Sequence, residues 1–268
     1  MMHATDTARA RRLIGPAITD VAGEPAGQTQ IDRLVARYQW TSGYCHDRIV
    51  LEVACGTGQG LGLLRRSAKV VFACDLSEDN LKTVRTTYGS AIPLALADAQ
   101  RLPFADASVD VVTLLETIYF LPSATEFLAD ARRILKPGGC VLISAINKDC
   151  PDFNPNHPLY FERYGAMDLS ALLRRHGFAP ECFGIIPMNA PSARSRVFKP
   201  LKQLAVRLNL IPESMQARRL MKRIVFGRLQ SMPRDIASLA AHRESATPIS
   251  ADEPDRIHQV ILCAGRRT

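Results

Sequence analysis

The chain has 268 residues, 47% of them hydrophobic, and a formal net charge of +8. Disorder is excluded as the default state, and the length suits one α/β domain carrying an insertion. No stretch approaches the roughly 20 uninterrupted apolar residues that a membrane span needs. Arg9, Arg11 and Arg12 precede Leu13 and Ile14, but Gly15, Pro16 and Asp20 break that run at once, so no secretory leader is expected. The seven cysteines, Cys45, Cys55, Cys74, Cys140, Cys150, Cys182 and Cys263, are odd in number and form no CxxC pair. They read as buried free thiols of a cytoplasmic protein, with no metal site and no disulfide framework.

Residues 1–28 are polar, with weak periodicity. A helix is predicted over 30–39, where Ile31, Leu34, Val35 and Tyr38 recur at helical spacing. A regular alternation then begins. Strand-like apolar runs cover 49–53, 69–74, 93–97, 109–115, 140–144, 182–186 and 258–264. Helical patterns lie at 60–66, 78–88 and 123–135, and the last of these stops at Lys136-Pro137-Gly138-Gly139. Strand and helix alternating at this spacing predict a doubly wound, mostly parallel sheet of seven strands. Nearly all-apolar strands agree, since both faces of such a sheet are covered. About 70 residues, 188–256, separate the last two runs and hold two helical patterns, 197–210 and 216–230, flanking Ile211-Pro212.

The most informative segment is Leu51-Glu52-Val53-Ala54-Cys55-Gly56-Thr57-Gly58-Gln59-Gly60. A strand enters a G-x-G-x-G turn and a helix opens behind it. Glycines let the backbone pass close to a ligand, and the helix start offers free N–H groups. Asp75 ends the next strand, at the position from which a carboxylate accepts ribose hydroxyls. A dinucleotide site would instead show G-x-G-x-x-G.

The spacing of the glycines, with Glu52 on the strand, resembles motif I of class I S-adenosylmethionine-dependent methyltransferases. Ala97-Asp98-Ala99 with Leu102-Pro103-Phe104 is similar to that family's third-strand motif. Ser108-Val109-Asp110 stands where the family usually has Ser-Phe-Asp. Arg132-Arg133-Ile134-Leu135-Lys136-Pro137-Gly138-Gly139 matches its segment entering the fifth strand. The resemblance covers 30–187 and the last strand. It implies a Rossmann-like core over 48–187, capped by a helical N-terminus over 1–47, interrupted by a basic helical lid over 188–256 and closed by a last strand over 257–268.

It also implies roles. Ala54, Gly56, Gly58 and Gly60 would approach the methionine and ribose of S-adenosylmethionine. Asp75 and Leu76 would meet the ribose, and Asp98 and Ala99 the adenine. Glu52 would order the glycine loop or the methionine ammonium. Arg37-Tyr38 resembles a pair that closes over the cofactor, while Tyr38 read as a residue alone is core packing on a helix face. Glu116, after the fourth strand, is a candidate for both cofactor and catalysis. Tyr119 and His157 are the other catalytic candidates, set against helix capping, packing and a loop histidine beside Pro158. Tyr160 lies in the same loop as His157.

The acceptor is expected to be read by the insertion. Between Arg194 and Arg234 there are 11 Lys/Arg against one acid, Glu213, a local +10 that leaves about −2 for the rest of the chain. The expectations are a lid with a solvated basic face, or contact with phosphate on a lipid-linked glycan at a membrane surface or on RNA. Only Phe198 and Phe226 are aromatic there, which argues against RNA. Asn147-Lys148-Asp149, Pro151-Asp152-Phe153-Asn154-Pro155, Leu210-Ile211-Pro212 and Lys222-Arg223-Ile224-Val225-Phe226-Gly227 resemble bacterial methyltransferases that accompany polysaccharide biosynthesis; Asn156 stands where those often have Ser. The expected acceptor is a small molecule, anionic or lipid-linked, and foremost a hydroxyl of a sugar or glycan precursor. The alternatives are a quinone or another secondary metabolite, an RNA-modifying enzyme, or a protein that binds the cofactor without catalysis.

Overall fold

A computed structural model describes residues 20–151, 153, 155, 160–187, 229–239 and 246–268. In chain order these residues form β1 (Pro25–Ala26), α1 (Gln28–Ser42), β2 (Ile49–Val53), α2 (Leu61–Ser67), β3 (Val70–Asp75), α3 (Glu78–Tyr88), β4 (Leu94–Leu96), β5 (Val109–Leu115), α4 (Ala124–Ile134), β6 (Leu135–Ile146), α5 (Ala166–Arg175), β7 (Phe178–Pro187), β8 (Gln230–Ser231), β9 (Thr247–Ile249) and β10 (His258–Arg267). The main sheet runs β4-β3-β2-β5-β6-β10-β7-β9. Strands β2 to β6 pair in parallel, while β10 pairs antiparallel with both β6 and β7. The fold is therefore the α/β, Rossmann-like, mostly parallel sheet that the alternation predicts.

Three local differences are informative. The strand expected at 140–144 already begins at Leu135, and its register against β5 shifts between Val109 and Val111, where Pro137-Gly138-Gly139 interrupts the ladder. Helix α5 was not predicted, although Leu169, Leu172 and Leu173 are buried at helical spacing and Gly177, at φ 73°, closes the turn after it. An eighth strand, β9, adds to the edge of β7 from within the expected insertion. The other described piece of that insertion supplies β8, which pairs with β1 in a separate two-stranded ribbon. The expected helix over 197–210 and nearly all of the one over 216–230 lie outside the described residues.

The two sheet faces bury separate cores. On one, Leu51, Val112, Leu114 and Ile143 pack with Phe127 and Leu128 of α4 and Leu169 and Leu173 of α5. On the other, Val50, Val71 and Val111 pack with Leu34 and Val35 of α1, Leu61 and Leu64 of α2, and Val84 of α3. Alternate residues of one strand thus face opposite layers. Ser77 and Ser123 cap α3 and α4, their hydroxyls accepting from the Asn80 and Glu126 amides at 3.3 and 3.1 Å. All seven cysteines are buried and free. No helix among the described residues is long and apolar enough to cross a membrane.

Candidate cofactor and active site

The carboxyl ends of β2, β3 and β5 converge on one edge of the sheet, where an open α/β sheet receives its ligands. The loop after β2 is tightly wound. Ala54, Gly56 and Gly58 all take positive φ, 55°, 56° and 79°. The glycines serve different needs. A Cβ at Gly58 would lie 2.7 Å from Val84, and one at Gly60 would lie 2.0 Å from the Tyr38 ring, so both positions are closed by the protein's own packing. A Cβ at Gly56 meets nothing within 4 Å, so this glycine borders open space.

Asp75, at the end of β3, ties the loop down. Its Oδ2 accepts from the Gly56 amide at 2.8 Å, and its Oδ1 accepts from the Ser77 amide at 2.8 Å and the Asn80 Nδ2 at 3.1 Å. A carboxylate has about four acceptor positions, so three internal bonds leave room for a hydroxyl. Burial pushes the carboxyl up from its ordinary value, and the amide bonds from Ser77 and Gly56 oppose that rise. Leu76 follows directly and is half-buried. Asp98 and Ala99 lie one strand further along, beyond β4. There Asp98 Oδ1 accepts from the Gln100 amide at 2.9 Å, which fixes a turn, and Ala99 is buried.

Glu52 lies beneath the loop and is 1% exposed. Tyr38 of α1 donates its hydroxyl to Glu52 Oε1, and Oε2 has no partner among the described residues. Burial pushes the Glu52 carboxyl up to about 7, against the lowering effect of the Tyr38 hydrogen bond and the Arg37 charge. Tyr38 therefore does more than pack: it fills the space over Gly60 and holds Glu52. Next to it, buried Arg37 pairs with Asp20 at 2.8 Å.

Sequence reasoning missed how much of the loop's support comes from elsewhere. The Asp20 carbonyl accepts from Gln59 Nε2, and Thr57 Oγ1 accepts from the Ala22 amide at 3.1 Å. The Ile236 amide donates to the Gln59 carbonyl at 3.0 Å, and Tyr88 donates to the Gly58 carbonyl at 2.9 Å. Thr57 and Gln59, the x positions of G-x-G-x-G, are both buried polar residues, and that is the signal that could have pointed to these partners.

Glu116 follows β5 and also holds a positive φ, 53°. Such a conformation in a residue other than glycine costs energy and is kept where surrounding structure enforces it. Here Tyr119 donates its hydroxyl to Glu116 Oε2 at 2.9 Å and Ser144 donates to Oε1 at 3.2 Å. The Ser144 hydroxyl and carbonyl also accept from the Glu116 amide. Burial pushes the Tyr119 phenol well above its ordinary value, and the Glu116 charge adds to that, so Tyr119 stays a donor. Three further rings gather beside this pair. Tyr119 lies 4.6 Å from Phe120 and 4.8 Å from Tyr160, and Phe153 stacks on Tyr160 at 6.2 Å. His157 lies outside the described residues. Among the described residues no group of three or more His, Cys, Asp or Glu could hold a metal ion.

These residues suit a cofactor with a sugar and a cationic group. Gly56 opens onto space, Asp75 keeps an acceptor position, and Glu52 keeps a buried, unpaired carboxylate oxygen. Residues 51–143 match the "Methyltransferase domain" family, and that stretch holds the glycine loop, Asp75, Asp98 and Glu116. Residues 51–143 are thus a methyltransferase domain of the class I, S-adenosylmethionine-dependent kind.

The chain is similar to a Mycolicibacterium smegmatis protein named "Probable S-adenosylmethionine-dependent methyltransferase", 33% identical over 149 residues, which are 54% of this chain and 57% of that protein. It is also similar to the "O-methyltransferase cnsE" of Penicillium expansum, 32% identical over 142 residues, 48% of this chain and 51% of the other. The chain thus spans about half the length of the curated relatives it matches. Among solved structures, a SAM-dependent methyltransferase from Thermotoga maritima superposes with a TM-score of 0.59 at 15% identity, over 89% of this chain and 92% of that one. The [4+2]-cyclase SpnF superposes with a TM-score of 0.53 at 18% identity, over 98% and 96%. At such identities the likeness concerns the fold. The cofactor of the family is S-adenosylmethionine.

Proposed function

We propose that this methyltransferase moves the methyl group of S-adenosylmethionine to an oxygen of a small-molecule acceptor, foremost a hydroxyl of a sugar or glycan precursor. The observation that carries the reading is the pair of strained carboxylate supports at one sheet edge: the loop over Glu52 and Asp75, and Glu116 at the end of β5. When bound, the cofactor supplies a methyl carbon already activated by the positive sulfur. The chain's own residues then have three tasks, which are holding, aligning and keeping water out. Asp75 and Leu76 hold the ribose, Asp98 and Ala99 read the adenine, and Ala54, Gly56, Gly58 and Gly60 shape the backbone against the rest. Glu52, through its open oxygen, meets the cationic end, and Tyr38 keeps it in place. Glu116 receives the acceptor's proton, positioned by Tyr119 and Ser144.

A second reading of the acceptor has its own support. Tyr119, Phe120, Phe153 and Tyr160 form an aromatic wall beside Glu116. Rings of this kind suit an acceptor with an apolar body. The relatives include a "Fatty-acid O-methyltransferase" and a Streptomyces halstedii "Methyltransferase GfsG". Supplying the purified protein with methyl-labelled S-adenosylmethionine and two acceptor panels separates the readings. Nucleotide sugars and lipid-linked glycans make up one panel, and fatty acids and polyketide-type alcohols the other. Label in the first panel supports the sugar reading, and label confined to the second replaces it. Glu116→Gln should lower kcat by roughly 10²- to 10⁴-fold, the range for a general base, with little change in cofactor affinity. Unchanged turnover removes Glu116 from the chemistry.

A further inference from the structure

Cys182 and Cys263 stand directly opposite each other on β7 and β10, in the register of that antiparallel pair. Their sulfur atoms are 2.8 Å apart, and both residues are buried, at 4% and 0% exposure. Cys55 and Cys74 also meet, through a backbone hydrogen bond in which the Cys55 amide donates to the Cys74 carbonyl at 3.0 Å. We propose that Cys182 and Cys263 are a redox modification site, which a peroxide converts to a cross-strand disulfide while the other five cysteines stay reduced.

Geometry carries the proposal. Directly opposed residues of an antiparallel pair have Cα atoms about 4.5 or 5.5 Å apart, and a disulfide accepts about 4.4–6.8 Å. Bonding therefore needs no movement of either strand. The sulfurs need only close from 2.8 Å to the bonded distance of about 2.05 Å, a rotamer adjustment.

The neighbouring charges give the two thiols different parts. The hydrogen bond with Cys263 and the positive charge of Arg174 hold the Cys182 thiol below its ordinary value, with burial and Asp252 opposing. The Cys263 thiol is pushed well up by donating to Cys182 and by burial. Arg174, whose charge acts on Cys182, ion-pairs with Asp252 at 2.6 Å, and both of these side chains are exposed.

Cys182 attacks as the thiolate. Its sulfur takes one peroxide oxygen, the O–O bond breaks, and the departing hydroxide leaves as water after taking a proton, so Cys182 becomes a sulfenic acid. The Cys263 sulfur then attacks the Cys182 sulfur, the S–O bond breaks, and a second water leaves with the Cys263 proton. Two thiols are oxidised, one peroxide is reduced, and the products are one disulfide and two waters. A thiol such as glutathione would reverse the change by exchange.

The bond would join strands 81 positions apart, which flank the insertion. Cross-linking so long a loop restrains the unfolded chain. The oxidised form should therefore melt higher than the reduced form, by up to roughly 10 °C.

Hydrogen peroxide is added to the full chain, free thiols are then blocked under denaturing conditions, and the peptides are read by mass spectrometry. The expected product is one linked peptide pair containing Cys182 and Cys263, lighter by two hydrogens and separated by dithiothreitol, with the other five cysteines blocked. In Cys263→Ser, dimedone should trap the sulfenic acid on Cys182. In Cys182→Ser, peroxide should leave the melting temperature unchanged. A protein whose Cys182 and Cys263 are both blocked after peroxide, or a linked pair involving other cysteines, overturns the proposal. So does a peroxide-induced rise in melting temperature that survives in Cys182→Ser.

Discussion

Replacing Glu52 with Gln tests the electrostatics of the cofactor loop. The Glu52 carboxyl is held at about 7 in the folded chain against an ordinary 4.5, chiefly by burial. A raised acid favours the folded state at low pH: its contribution is complete below about 4.5 and is lost as pH rises through about 7. The gap corresponds to ~3 kcal/mol of folding free energy, at about 1.4 kcal/mol per pH unit. Wild type without ligand should thus lose stability between pH 5 and pH 8 relative to Glu52→Gln, which has nothing to ionise there. At pH 8 the variant should be the more stable by ~3 kcal/mol at most, with the lone buried charge removed and the Tyr38 hydroxyl still able to donate to the amide oxygen. Urea melts of both proteins at four pH values measure this, and the difference between the curves cancels every other titrating group. S-adenosylmethionine should flatten the wild-type pH dependence, because a cationic ligand beside Glu52 favours the ionised form. Parallel stability curves for the two proteins would refute the burial argument. A variant that binds the cofactor like wild type would place the ammonium elsewhere.

Asp75→Ala should weaken S-adenosylhomocysteine by about 1.5–3 kcal/mol in calorimetry. It should also cost some stability, since the Gly56, Ser77 and Asn80 donors lose their shared acceptor. Gly60→Ala forces a methyl group to within 2.0 Å of the Tyr38 ring, so it should be destabilising by about 1–3 kcal/mol in thermal melts. Combining it with Tyr38→Ala should return much of that loss, and strict additivity of the two changes would show that they do not meet. Changing Arg218, Arg219, Lys222 and Arg223 together to Gln should raise the KM of an anionic acceptor and remove its salt dependence. Charge–charge interactions in solvent are screened beyond about 8 Å at physiological salt, so cofactor affinity should change much less. An unchanged KM would show that these four charges do not read the acceptor.

The parts of this fold legible in the sequence are those where local signals and tertiary needs coincide. Ile49–Val53 is an apolar β-branched strand that must end at a glycine turn, and Ser77 with Gly89 brackets α3 by ordinary capping. The order of Glu52, the three glycines, Asp75 and Asp98 was enough to read the cofactor. What stayed hidden depends on partners far apart in the chain. Asp20 reaches Gln59 and Arg37 from a polar stretch without periodicity. Residues 247–249, Thr-Pro-Ile, form a strand only because the edge of β7 offers them unpaired backbone groups. Helix α5 carries its own signal in Leu169, Leu172 and Leu173, a short pattern set between two strand runs. The aromatic wall was hidden because its four rings are scattered from 119 to 160, sparse in sequence and gathered only by the loops after β5 and β6.

Calorimetry of the purified protein with S-adenosylmethionine, S-adenosylhomocysteine and NAD tests the central claim most directly. The account predicts one site for each of the first two, competing with each other, and no heat with NAD. Binding of NAD without binding of S-adenosylmethionine would contradict it.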